Sequence, residues 1–113
     1  MSDAYKRSME LYRYIGRERW PSSDEIERLW RQVFEAVLVR ERFTRKAIDY
    51  MWRELAQGNW ERLHQTDEER SLSPDEWLGR FREELFYCSD RWSLDRLTRC
   101  HWLWRQYKWK VDE

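Results

Sequence analysis

Between Ser23 and Thr44 the apolar side chains return at a fixed interval. Ile26, Leu29, Trp30, Val33, Phe34, Val37 and Leu38 fall at i, i+3, i+4, i+7, i+8, i+11 and i+12, the spacing of one face of an α-helix. At roughly 100° per residue they cover close to half the helix circumference. A helix this apolar has to be covered from two sides, which places it at the centre of a bundle. It closes in Glu41-Arg42-Phe43-Thr44, and Asp90-Arg91-Trp92-Ser93 repeats that order of acid, arginine, aromatic and hydroxyl.

The rest of the chain agrees with an all-α fold. Only 3 Gly and 2 Pro accompany 39% charged residues, too few turn formers for a β-sandwich or barrel. A length of 113 residues allows one domain, and the 9 Trp concentrate apolar burial in a few large rings. The expected architecture is a small bundle of four to five helices in two packed helical hairpins. A first helix and connector span 1–22, hairpin one 23–58, a loop 59–73 and hairpin two 74–110.

Local signals set these bounds. In the first helix Met9, Leu11, Tyr12 and Ile15 form the inner face, and Gly16 reads as its left-handed stop. Ser22 with Glu25 three residues on reads as a capping box. Thr44 N-caps a third helix with the stripe Ala47, Ile48, Met51, Trp52 and Leu55, ended by Gly58. Trp60 and Leu63 tack the following segment to the core, and the charged run Gln65 to Arg70 reads as a mobile loop. Ser73-Pro74-Asp75-Glu76 combines serine at N-cap, proline at N1 and glutamate at N3. Trp77, Leu78, Phe81, Leu85 and Cys88 follow as the inner face of the next helix. The last helix turns Leu94, Leu97, His101, Trp104 and Tyr107 inward.

Charge and motifs narrow the function classes. The 22 basic residues balance 22 acidic ones, which removes the global electrostatic footprint of a nucleic-acid binder. No apolar run is long enough for a signal sequence or a membrane span. The expected setting is therefore the cytoplasm, with no membrane partner and with Cys88 and Cys100 reduced. His64, His101, Cys88 and Cys100 lack the close spacing of a zinc site, and no Gly-flanked serine or Gly-rich phosphate loop occurs. Glu61-Arg62-Leu63-His64 is a single glutamate-x-x-histidine, where a bundle di-metal site needs two such motifs. Catalytic residues, metal and cofactor are all expected to be none, and the chain is read as a non-enzyme.

The remaining chemistry lies at the C-terminus. Trp102 and Trp109 are seven residues apart, on the side of the last helix opposite Trp104 and Tyr107, and Arg99, Arg105 and Lys110 flank them. Two tryptophans rimmed by cations have the make-up of a protein-interface hot spot. Stacking of single-stranded RNA or DNA on the same face is the alternative, and an inhibitor or adaptor of another complex is a third reading. Oligomeric state is left open.

In the order of its landmarks the chain resembles the accessory (activator) proteins of nitrile hydratase and the helical N-terminal part of that enzyme's β subunit. The matching residues are Trp30 and Phe34, then Phe43-Thr44, Trp77-Leu78, Trp92-Ser93 with Leu97, and finally Trp104 and Tyr107. Where that family has glycine before each aromatic–hydroxyl turn, this chain has Arg42 and Arg91. Asp75-Glu76 replaces paired tyrosines. The resemblance implies a chaperone-like protein that holds a metalloenzyme subunit while its metal centre is matured.

Overall fold

A computed structural model describes residues 2–57, 62 and 64–113. Among the described residues six α-helices follow in order: α1 (Asp3–Arg17), α2 (Ser23–Arg40), α3 (Arg45–Ala56), α4 (Asp67–Arg70), α5 (Pro74–Cys88) and α6 (Leu94–Asp112). Among the described residues there is no strand. No described helix is long and apolar enough to cross a membrane. Gly58, Trp60, Glu61 and Leu63, to which the sequence assigned roles, lie outside the described residues.

Every helix begins on a hydroxyl. Ser2, Ser22, Thr44, Thr66, Ser73 and Ser93 each accept a hydrogen bond from a backbone N–H of the first turn, satisfying a donor that has no partner inside the helix. Ser73 and Glu76 complete the expected reciprocal capping box. Ser22 caps α2 without the reciprocal bond, because the Glu25 carboxylate turns to Arg28. A second full box, Thr66 with Glu69, opens α4. The stretch expected to be a mobile loop from Gln65 to Arg70 is therefore one turn of capped helix. Its Thr-x-x-Glu signature was present in the sequence.

All seven residues of the α2 stripe are buried. The tightest helix pairs are α5 with α6 and α1 with α2, while α2 and α3 touch little. The second hairpin is the expected one, and α1 supplies the first hairpin's other arm. The reason lies in the α1 ridge of Ala4, Ser8, Leu11 and Ile15, where two small residues let the backbones approach. Met9 and Tyr12 are only half-buried. Gly16 does not stop α1 with a left-handed turn: it lies within the helix and has no positive φ. A Cβ there would overlap the Arg82 guanidinium, whose Nε donates to the Tyr12 carbonyl at 3.1 Å. Leu94, expected inside, is 41% exposed.

The two echoed turns differ in backbone. At the end of α2, Phe43 N–H donates to the Leu38 carbonyl and Arg42 N–H to Val39, both at 3.0 Å. This is a Schellman motif with Arg42 at the left-handed position, φ 68°. At the end of α5, Ser89 and Arg91 close 3.3 and 2.9 Å bonds to Phe86 and Cys88, and no residue there has positive φ. What the turns share is their second half: an aromatic that packs inward, then a hydroxyl that caps the next helix. Phe43 packs against the core, and Trp92 is buried with its Nε1–H donating to Ser8 Oγ at 2.8 Å.

A non-glycine residue at positive φ carries a steric cost. Arg42→Gly is therefore expected to raise unfolding free energy by about 0.5–1 kcal/mol after the entropy of a freer unfolded chain is counted. Urea unfolding reads this directly, and a loss of stability would contradict the turn. Phe34→Ala, at a position with no exposure, should cost about 3–5 kcal/mol in the same assay.

Candidate functional site

The predicted C-terminal face divides into two halves. Trp102 is half-buried, with its ring at 5.7 Å from Trp77 in edge geometry and Arg99 over it at 5.3 Å. Trp109, expected to be exposed, is only 7% so. Its cover comes from the segment before α5. Arg62 lies over the ring at 4.5 Å and Arg105 at 5.5 Å. The Gln65 side-chain amide donates to Gln106 Oε1, and Lys110 Nζ donates to the Arg70 carbonyl at 2.7 Å. Of the five residues singled out, Trp109 and Lys110 thus hold Arg62 and Arg70 onto α6, with Arg105 beside the Trp109 ring. Trp102 and Arg99 remain at the surface.

From those two a longer surface grows. Arg96 is one turn before Arg99 on α6 and lies over Tyr87 of α5 at 5.3 Å, with Arg91 over the same ring at 4.9 Å. At the other end Arg80 lies over Trp77 at 5.5 Å. Two contact groups, Arg91–Tyr87–Arg96 and Arg99–Trp102–Trp77–Arg80, follow one another as a strip along the α5–α6 groove, with Arg96 and Arg99 one turn apart on α6. Tyr87 is 53% exposed. Arg80 and Arg91 have carboxylate neighbours, Glu69 at 3.8 Å and Asp90 at 3.2 Å. The sequence held a signal for this strip in the spacing Arg96-Arg99-Trp102, but Tyr87 and Arg80 join it only because α5 lies alongside α6.

Beneath the surface, His101 sits in a box of rings. The centroids of Trp104, Phe34, Trp52 and Trp30 lie at 5.2, 5.4, 5.4 and 6.1 Å from it. Trp30 Nε1–H donates to His101 Nδ1 at 3.1 Å. With Nδ1 accepting, the neutral ring carries its proton on Nε2, a buried nitrogen without a hydrogen-bond partner among the described residues. Burial, with the Arg105 charge adding to it, holds the His101 pKa down at about 3. Cys88 and Cys100 are free and buried, and burial pushes both thiols up, so they stay protonated. Among the described residues no three His, Cys, Asp or Glu side chains are grouped as metal ligands would be.

A cleft of about 530 Å³ lies where α1, α2 and the start of α3 meet. Its charged lining is paired internally: Arg7 with Gln32 at 2.8 Å and Asp3 at 3.4 Å, Arg45 with Glu35 at 3.0 Å. Such a lining offers a ligand few free donors or acceptors. In comparisons with known proteins, the chain is matched by no family model, no curated protein and no solved structure.

The His101 environment sets a pH dependence. Its folded pKa lies below the unfolded value, so the unfolded chain binds the extra proton first. The stability tied to a neutral His101 is complete above about pH 6.5 and is lost as the pH falls toward about 3. Each pH unit inside that window should cost up to about 1.4 kcal/mol. Replacing His101 by phenylalanine should remove this slope between pH 6.5 and 5, above the range of ordinary carboxylates. Urea titrations across that interval check it. Trp30→Phe, which leaves Nδ1 buried without its donor, should cost about 1–3 kcal/mol at pH 7.

Proposed function

We propose that this chain is a non-enzymatic accessory factor that binds another protein through the arginine–aromatic strip of the α5–α6 groove. The strip itself carries the reading: four arginines and two rings along one groove, with guanidinium groups lying over Tyr87 and Trp102. An arginine stacked on a ring keeps its in-plane donors free for carboxylates and is already held in place, so binding costs little further side-chain entropy. The complementary surface is an acidic patch with an apolar centre. In the landmark resemblance to nitrile hydratase accessory proteins, the client would be an enzyme subunit awaiting its metal.

Nucleic acid fits this surface less well. A base stacks on an open ring face, and here arginines cover those faces. Carboxylates of Glu69 and Asp90 also dilute the cationic charge along the strip. A protein partner can meet a surface of mixed sign, as interfaces commonly do.

The exposed residues Arg91 and Arg99 test the reading without touching the core. With the full chain as bait, a discrete protein partner should be retained by the wild type. Arg91→Glu and Arg99→Glu should each weaken that complex about tenfold or more, with helicity unchanged. Undiminished binding by both variants would move the interface elsewhere. Steeply salt-dependent capture of a generic single-stranded oligonucleotide would favour the nucleic-acid reading.

A further inference from the structure

Arg42 holds a backbone conformation, φ 68°, that glycine adopts at lower cost. Its side chain is exposed and has no hydrogen bond, ion pair or ring contact among the described residues. Nothing within the chain therefore calls for an arginine at this turn. The turn leads into α3, whose outer face has the same character. Lys46, Tyr50 and Arg53 fall within about 60° of one another around the helix axis. All three are exposed and, among the described residues, without a side-chain partner. Tyr50 is 57% exposed, and no cation covers its ring. Residues 40 to 53 carry five basic and two acidic side chains in a chain whose charge is balanced overall. Both of those carboxylates are already matched, Asp49 to Arg31 at 3.0 Å and Glu41 to Arg40 at 3.5 Å. Glu54 stands at the border of the face, about 80° round from Lys46.

We propose that this face of α3, with the turn before it, binds a single strand of nucleic acid. Tyr50 stacks on a base, and Arg42, Lys46 and Arg53 meet phosphates. An uncovered ring set between unmatched cations is what single-strand platforms present. In the α5–α6 groove, by contrast, arginines already lie over Tyr87 and Trp102. Lys46 lies about 6 Å of helix rise before Tyr50 and Arg53 about 4.5 Å after it. Long side chains at those positions reach the phosphates on both sides of one stacked nucleotide. Within a duplex the base faces are already stacked on one another, so Tyr50 favours a single strand. The arginine at positive φ fits the same reading, since backbone strain at an exposed charge marks a binding position. The face shares no residue with the protein-binding strip.

Fluorescence anisotropy of a labelled oligothymidylate of about 15 nucleotides, titrated with the full chain, reads the binding. For three phosphate contacts the logarithm of affinity should fall with the logarithm of salt concentration at a slope of about −2. Tyr50→Ala and Lys46→Glu should each weaken the complex about tenfold. Arg42→Gly should bind severalfold more weakly while unfolding at a higher urea concentration than the wild type, a combination that a merely structural role does not produce. Arg99→Ala, in the α5–α6 groove, should stay within about twofold of the wild type. A wild type that binds no oligonucleotide at low salt overturns the proposal. So does affinity unchanged by Tyr50→Ala or by Arg42→Gly, and so does tighter binding of a duplex of the same length.

Discussion

The hydrogen bond from Trp30 to His101 joins the middle of α2 to the middle of α6, and most of the bundle is arranged around it. A buried imidazole is tolerable only as a neutral, hydrogen-bonded ring. The Trp30 donor fixes which nitrogen is bare and therefore how the ring is turned. Phe34, Trp52 and Trp104 then close around it, bringing in α3 through Trp52, while Phe81 reaches Trp30 from α5 at 5.2 Å. Four helices thus contribute to one aromatic cluster. The limited packing of α3 against α2 matters less than it would in a bundle held by aliphatic stripes, because one large ring anchors the helix.

A second polar tie, beside the first, works in the same way. Ser8 donates to the Ala4 carbonyl at 2.7 Å and accepts from Trp92. Its small side chain lets α1 lie close to α2, and its oxygen anchors the aromatic that begins the α5–α6 turn. Together the two ties connect the first hairpin to the second through Trp30 and Trp92, whose rings lie 6.2 Å apart.

The surface divides according to what α5 and α6 leave uncovered. Arg62, Gln65 and Arg70 take the distal half of the outer α6 face, so Trp109 becomes buried. The proximal half stays open and joins Tyr87 and Arg91 in the strip.

Much of the fold was legible in the sequence because it is written in short-range chemistry. The α2 stripe, the hydroxyl caps at Thr44 and Ser73, and the inward residues of α5 depend on helix periodicity and on groups within four residues of one another. The Thr66–Glu69 box was equally local, but the dense charge around it resembled a solvated loop. The sequence by itself determined the hydroxyl-capped starts at Ser22, Thr44 and Ser73 and the apolar stripes of α2 and α5 that had to be covered. It could not say what would cover them. Ser8 meeting Trp92, Arg82 lying over Gly16, and Arg62 lying over Trp109 pair residues far apart in the chain. So do the rings around His101. Helical periodicity fixes the direction a side chain faces but not the neighbour it finds there; only the packing of the helices decided that, and with it which aromatics became core and which remained exposed.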